Sequence, residues 1–404
     1  VHIEGRTFPI QDFYLDSILS DLDFTITTQR DEIIKPKADS RYFNDGNINY
    51  DLIAELVQYI DKKLTEQNND GSILIFLPGV MEISRCLGKI SDLSGSKSKF
   101  WGLPLHSGVS SNDQRKVFNT PPRGTRKVVA STNVAETSVT IPDAVAVIDT
   151  GRVKTIRYDV KADTTRLVEG WSSRAEISQR RGRAGRIREG LCFHLYTKET
   201  TEERMLSQPI PEIKRTPLES VCLVVKAMGI SNVYKFLQEG LDPPSKLNVN
   251  SALQTLTEIG ALHNNHLTAL GKYVSLLPTD MKSGKLLLYS TLFGCLESGL
   301  TLASISVTGN PFFRSREMRD KVKNVQTKFS DGQGDMIAIL NAYEQYSKLK
   351  NSSEKRRFLD ENCLSWKTMK DIQSTRLQYV SELQDLGFIP MGYTKHKDKY
   401  PAFN

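Results

Sequence analysis

The chain has 404 residues, with 54 Lys plus Arg against 47 Asp plus Glu, a formal net charge of +7 and 39% hydrophobic residues. That length buries substantial cores and suits two or three domains. The five cysteines contain no CxxC pair, which argues against a disulfide framework or a zinc module and for a reducing intracellular compartment. No signal-peptide pattern opens the sequence. The most apolar stretch, residues 286–307, holds Glu297, two glycines and several hydroxyl residues, so buried bundle helices are expected and not a membrane span.

In chain order, residues 2–10 predict a first strand, and residues 12–49 are polar and irregular, predicting a short helix and then a loop. Leu52, Leu56, Ile60 and Leu64 recur at helical spacing and lead into Ile73-Leu74-Ile75-Phe76-Leu77, a continuous apolar run suited to a strand buried on both faces. Pro78-Gly79 ends that run, and an amphipathic stretch begins near Met81. Lys127-Val128-Val129-Ala130 is a second strand signal. Polar residues Ser131-Thr132-Asn133-Val134-Ala135-Glu136-Thr137-Ser138-Val139-Thr140-Ile141-Pro142 follow it, at a strand's C-terminal end where open α/β sheets bind ligands. Helix and strand alternate up to Leu191-Cys192-Phe193-His194-Leu195, read as the last strand. The fold class is therefore α/β, a parallel sheet with crossover helices. Residues 152–168 break the alternation with a β-branched, charged pattern that predicts a β-hairpin. Residues 152–188 carry eleven basic and four acidic side chains, a concentrated field that favours a polyanionic partner.

After Arg215 the chain becomes helical. Ala252, Leu253, Leu256 and Ile259 form a helix stripe stopped by Gly260. His263 and His266 flank Asn264-Asn265, which predicts a tight hairpin turn, and no metal site is expected there. Helix, helix and small hairpin are the order of a winged-helix module. Residues 271–313 and 336–388 are helix-rich, joined through a Gly/Asp loop at 330–334, and predict an all-α helical bundle. The expected domains are 1–205, 206–275 and 276–391, with a tail over 392–404.

The run Gln179-Arg180-Arg181-Gly182-Arg183-Ala184-Gly185-Arg186 carries the most chemistry. Arg183 and Arg186, three apart, can share one helix face and reach a phosphate, as an arginine finger must. The same run also reads as a basic nucleic-acid or nuclear-localisation patch. Taken with Ile73–Gly79 and Ser131–Pro142, in this order, it resembles motifs IV, V and VI of superfamily 2 helicases of the DEAH-box/RNA-helicase-A family. The Gln that opens the last motif fits that branch, and Gly5-Arg6-Thr7-Phe8-Pro9 resembles the entry to the family's second RecA-like domain. The later segments resemble its winged helix and its ratchet-like bundle, including Gly284-Lys285-Leu286-Leu287-Leu288 and Asn310-Pro311-Phe312.

The resemblance implies an ATP-dependent RNA helicase or ribonucleoprotein remodeller that moves 3′ to 5′ on single-stranded or structured RNA. Gln179, Arg183 and Arg186 match positions that touch the β/γ-phosphates or the attacking water. Phe118 matches the aromatic that stacks on the base, and Thr140 a ribose-contacting position. Pro142 stands where the family often has Asp, with Asp143 displaced by one. Gly79, Ser107, Thr132 and Asn133 match RNA-backbone positions, although singly they also read as a helix start, a cap and a strand end. The hairpin matches one thought to wedge between strands, and an ordinary surface hairpin has the same pattern. No GxxxxGK[ST] or Asp-Glu-x-His occurs. ATP, or another nucleoside triphosphate, and Mg2+ are thus expected to be held by a first RecA-like domain outside this sequence, leaving the chain inactive alone. No OB-fold is expected before Asn404. Thr140-Ile141-Pro142-Asp143 and Val147-Ile148-Asp149-Thr150-Gly151-Arg152 look most like the subgroup with a ribosome-associated translation helicase. That implies a cytoplasmic role near the small ribosomal subunit, with a nuclear setting the alternative; separately, a monomer without a membrane partner is expected. The alternative is an RNA-binding scaffold or adaptor without ATPase activity, in which the intact Gln179, Arg183 and Arg186 have no chemical use.

Overall fold

The structure, a computed structural model, describes residues 8–28, 31–44, 47–93, 99–109, 111–137, 139–160, 162, 164–312 and 319–393. It divides into two compact units, one ending at Thr216 and the other beginning at Pro217.

The first unit runs β1 (Ile10–Tyr14), α1 (Leu15–Leu22), β2 (Ile26–Thr27), β3 (Ile33–Ile34), α2 (Arg41–Asn44), α3 (Tyr50–Glu66), β4 (Ser72–Phe76), α4 (Val80–Asp92), β5 (Phe100–Leu105), α5 (Ser111–Arg115), β6 (Arg126–Ser131), α6 (Val134–Thr137), β7 (Ala144–Asp149), β8 (Arg152–Asp159), β9 (Thr164–Trp171), α7 (Arg174–Arg181), β10 (Gly190–His194) and α8 (Lys198–Glu203). Six strands form one parallel sheet in the order β1-β10-β7-β4-β6-β5. β4 is buried along its whole length, as its continuous apolar run requires. Ile73 and Ile75 pack on one face with Leu52, Ile53, Leu56 and Ile60 of α3. Leu74 and Phe76 pack on the other with Leu105, Val129, Ala135 and Val147. Each such side chain removed from water contributes about 1.5–3 kcal/mol. Asn49 starts α3 by accepting a hydrogen bond from Leu52 N at 3.0 Å.

The first strand differs from expectation. Residues 2–7 of the predicted strand and the segment up to Thr7 lie outside the described residues, and the strand begins at Ile10, where the prediction ended it. The polar Gln11 and Asp12 hid this edge strand, whose Asp12 is held by partners remote in sequence. Its Oδ1 accepts from Arg181 Nε at 2.8 Å and meets His194 Nε2 on β10 at 3.0 Å. The predicted hairpin is present and longer than expected, pairing Arg152 with Trp171 at its base and Asp159 with Thr164 at its tip. Residues 206–216 stay with this unit: Arg174 N donates to Leu206 O at 2.8 Å, and Tyr158 N donates to Arg215 O at 2.8 Å.

The second unit starts with α9 (Glu219–Ala227), α10 (Val233–Gln238), α11 (Lys246–Ile259), β11 (Leu262–His263), β12 (His266–Leu267) and α12 (Ala269–Leu276). Gly260 ends α11 at φ 88°, and Asn264 and Asn265 take φ 47° and 65°, the two left-handed residues that a tight hairpin turn needs. Lys226 of α9 donates to Ser231 O and Asn265 O at 2.6 and 3.0 Å, fastening the turn to the helices. Six helices follow: α13 (Met281–Leu292), α14 (Leu296–Thr308), α15 (Arg319–Ser330), α16 (Asp335–Lys348), α17 (Ser352–Glu361) and α18 (Trp366–Asp385). The apolar 286–307 stretch is thus two helices separated near Gly294 (φ 72°), and no described helix is long and apolar enough to cross a membrane. Ser365 N donates to Pro311 O at 2.7 Å, so Asn310-Pro311-Phe312 joins α14 to α18; the tail from residue 394 lies outside the described residues.

Burial raises the Asp12 carboxyl pKa, and hydrogen bonds from His194 and Arg181 more than offset it, holding the group at about 2 against 3.8. A depressed carboxylate adds stability that is present above about pH 4 and lost as pH falls towards 2. Discounted for its solvent contact, that is about 1 kcal/mol. Urea denaturation of wild type and Asp12→Asn should therefore show a gap at pH 6 that shrinks by pH 3. A gap independent of pH would contradict the assignment.

Candidate nucleotide and nucleic-acid interfaces

Crossover helices return the chain to each strand's start, so loops collect at two opposite edges of the sheet. Gly79, Ser107, Thr132 and Asn133 follow β4, β5 and β6, three adjacent strands, at the C-terminal edge. Leu77 N donates to Ser131 O at 2.8 Å and Thr132 N to Leu105 O at 3.2 Å, which hold these strand ends in register. Ser107 and Asn133 are exposed, and Thr132 is half-buried. Gly79 caps α4 with extended backbone at φ −167°, so its conformation is open to any residue. Space is what a side chain there would lack: a Cβ would lie 2.6 Å from Glu82 Oε2 and 2.9 Å from Lys154 Nζ. Those atoms end flexible side chains and form an ion pair at 3.0 Å between α4 and β8.

Phe118 and Thr140 lie towards the other edge. Arg183 and Arg186 do not share a helix face, because α7 ends at Arg181 and both arginines sit on the turns that lead into β10. Close packing explains the departure. A Cβ on Gly185 would lie 2.7 Å from Ile10 and 2.8 Å from Phe8 O, and one on Gly190 2.6 Å from Ala184 O, so the chain folds tightly onto β1. The turns still bring the arginines to one place. Arg186 Nη1 donates to Thr140 Oγ1 at 2.7 Å, and Arg183 Nη1 donates to Val139 O at 3.4 Å. Burial and the adjacent charge of Arg186 both lower the Arg183 pKa. Phe118 is exposed and shares a cleft at the strand starts with Pro142 and Asp143. Gln179 is exposed on α7. One loop, residues 139–143, thus joins the arginine pair to the aromatic.

Part of the local basic charge is neutralised internally. Arg152 pairs with Glu169, Lys154 with Glu82, Arg181 with Asp12 and Arg188 with Asp70. Arg183 and Arg186 reach no carboxylate among the described residues; their oxygen partners carry no charge. On the hairpin, Arg157 and Arg166 face each other across the ladder, both exposed. Like charges directly opposite are unfavourable until an anion lies between them.

The residue that sequence reasoning passed over is Arg180. It is 1% exposed, with Nε 3.1 Å from Glu136 Oε2 on α6 and Nη1 3.0 Å from Asp149 Oδ1 at the end of β7. It also donates to Arg152 O at 3.3 Å and stacks 5.2 Å from the Phe76 ring centroid. Burial opposes its charge, and Asp149 and Glu136 outweigh that to raise its pKa; burial raises the Glu136 pKa against the pull of Arg180. The sequence holds one hint, Asp149, a carboxylate closing a strand otherwise apolar, and that hint does not say which base it meets.

Asp12, Cys192 and His194 form the only cluster of metal-type ligands among the described residues. Its atoms are already engaged. His194 meets Asp12 on one nitrogen and Tyr196 Oη at 2.8 Å on the other, and burial pushes the Cys192 thiol far up. These contacts tie β1 to β10.

Comparison with known proteins agrees with this architecture. Residues 51–188 match the helicase conserved C-terminal domain, 252–279 the winged-helix part of the helicase-associated domain (HA2), and 280–362 its ratchet-like part. The chain is 47% identical over 411 residues to a putative ATP-dependent RNA helicase of Saccharomyces cerevisiae, covering 97% of the chain and 28% of that relative. Identity to the putative ATP-dependent RNA helicase ucp12 of Schizosaccharomyces pombe is 38% over 419 residues, covering 100% of the chain and 30% of the relative. Identity to the ATP-dependent RNA helicase DHX29 of Homo sapiens is 37% over 354 residues, covering 84% and 25%. The chain therefore spans less than a third of the length of each of these three relatives.

Removing the Arg180 charge leaves two carboxylates buried and unpaired, which costs about 3–5 kcal/mol. Urea denaturation of Arg180→Met should show that loss, whereas exposed Arg186→Ala should stay within about 0.5 kcal/mol of wild type. Equal, small effects would remove Arg180 from its structural role.

Proposed function

The chain belongs to the DEAH-box RNA helicase family, as a C-terminal part with helicase, winged-helix and ratchet-like domains, and on that premise we propose that it completes the ATP site of an RNA helicase or ribonucleoprotein remodeller. The observation that carries the proposal is the pair Arg183 and Arg186, close together, without a carboxylate partner among the described residues, beside Thr140. Two neighbouring guanidinium groups gain most from a polyanion, and phosphoryl transfer concentrates charge on the γ-phosphate in its transition state. Arg186, exposed and held only by a hydroxyl, supplies that charge; Arg183 holds the adjacent phosphate oxygens; Gln179 orients water; Phe118 covers the base through its π-face. Mg2+ arrives with the triphosphate. The acidic groups near this loop are committed, Asp143 to Lys127 and Glu136 to Arg180, so the metal ligands and phosphate loop belong to a first RecA-like domain elsewhere in the longer protein. The isolated chain then turns over no ATP.

At the opposite edge, main-chain groups around Gly79, Ser107, Thr132 and Asn133 take the sugar-phosphate backbone of single-stranded RNA, which gives grip without sequence choice. The hairpin presents Arg157 and Arg166 as a second phosphate contact. ATP-driven opening and closing of the two RecA-like domains moves the strand 3′ to 5′. The subgroup resemblance adds a cytoplasmic setting beside the small ribosomal subunit.

ATP turnover by the full-length protein, with single-stranded RNA and separately with small ribosomal subunits as stimulants, is the test. Stimulated turnover should fall about 10³-fold or more in Arg186→Ala, the usual loss for a missing finger. Turnover unchanged in the variant would remove Arg186 from the chemistry. No turnover in wild type, with salt-sensitive RNA binding intact, would favour the scaffold reading.

A further inference from the structure

Lys127, the second residue of β6, is 2% exposed and its ammonium lies beneath the cleft that Phe118 lines. Its Nζ donates to Val117 O at 2.8 Å and to Asn119 O at 3.1 Å, the carbonyls on either side of Phe118. It also lies 2.9 Å from Asp143 Oδ1, on the loop that carries Thr140. A buried lysine that spends its protons on two loop carbonyls and its charge on a third segment fixes the distance between those segments. Phe118 is 51% exposed, while Val117 beside it is wholly buried. The backbone turn therefore helps to set where the ring stands relative to Thr140.

We propose that Lys127 is a positioning residue for base binding: its buried ammonium holds the turn that bears Phe118 against the 139–143 loop, so that the stacking ring and the ribose-side hydroxyl present one nucleoside site. The inference rests on the nucleotide reading given above and assigns to that site a residue that touches no part of the nucleotide. Asp143 acquires a role by the same geometry. It pairs with Lys127, which gives the carboxylate one position after Pro142 a structural use.

The consequence is selective. Lys127→Met keeps the length of the side chain and removes both hydrogen bonds and the charge. Phe118 then loses its fixed placement while Arg183 and Arg186 keep theirs. In the full-length protein with saturating single-stranded RNA, KM for ATP should rise about tenfold, the loss of one base-stacking contact, with kcat within about twofold. Ribose 5′-triphosphate, which has no base to stack, should show the same KM with Lys127→Met as with wild type. In a Phe118→Ala background, Lys127→Met should add nothing further. Lys127→Arg keeps a charged donor with different reach and should shift KM for ATP in the same direction by less, which carries the test if the Met variant does not fold. Equal losses with ATP and ribose 5′-triphosphate, or full additivity with Phe118→Ala, would reduce Lys127 to a general stabiliser and overturn the proposal. Absence of RNA-stimulated turnover in wild type would overturn the nucleotide reading itself, a separate and visible outcome.

Discussion

A guanidinium taken out of water must bring its counter-charges with it, and Arg180 brings two. Its contacts to Glu136, Asp149 and the Arg152 carbonyl join the short helix after β6, the end of β7, the base of the hairpin and α7. None of these elements is long enough to be fixed by its own hydrogen bonds; α6 has 4 residues and α7 has 8. A planar, permanently charged fork that accepts only a narrow set of geometries fixes them together. The arginines that follow α7 inherit their places from that anchor. Arg183 and Arg186 extend from a turn whose start is held by Arg180 and whose middle is pressed onto Ile10 and Phe8 by the absence of side chains at Gly185.

The same constraint separates rigid charge from available charge. Arg180, Arg181 and Arg188 end on carboxylates; Arg183 and Arg186 end on a carbonyl and a hydroxyl. One basic run thus contains both the support and the groups left to meet a ligand. The sheet extends the division in space. Strand ends at the C-terminal edge carry the residues proposed for RNA, and the starts of the strands carry those proposed for nucleotide. The motif from Ser131 to Pro142 passes from one edge to the other through α6, whose Glu136 is held by Arg180. A shift at either edge therefore meets the same buried ion triad, which would give the proposed function a physical route between nucleotide state and RNA grip.

Much of this was legible in the residues. The buried strand at Ile73–Phe76, the α3 stripe, the hairpin after Gly151 and the Asn264-Asn265 turn follow from periodicity and turn chemistry. Strand residues 11–14 were missed because Gln11 and Asp12 are polar and read as a loop; the Asp12 partners Arg181 and His194 lie about 170 to 180 residues away in sequence. The helix expected to hold Arg183 and Arg186 ends early for a similar reason, since the close approach at Gly185 is a tertiary fact. Arg180 and Lys127 are the deeper omissions. Long basic side chains are normally exposed, and nothing in local pattern marks one as buried until its carboxylates are placed. α15 was missed because its residues 319–330 are mostly polar, with burial limited to positions such as Val322 and Phe329.

The central claim is that Arg186 leaves Thr140 to meet the γ-phosphate position when the ATP site closes. A structure of the full-length protein with single-stranded RNA and ADP–aluminium fluoride tests it directly. The account predicts the Arg186 guanidinium within hydrogen-bond distance of the fluoroaluminate, Arg183 on the adjacent phosphate oxygens, and Arg180 still bound to Glu136 and Asp149. A closed complex in which Arg186 remains on Thr140 and no arginine of this run reaches the mimic would contradict it.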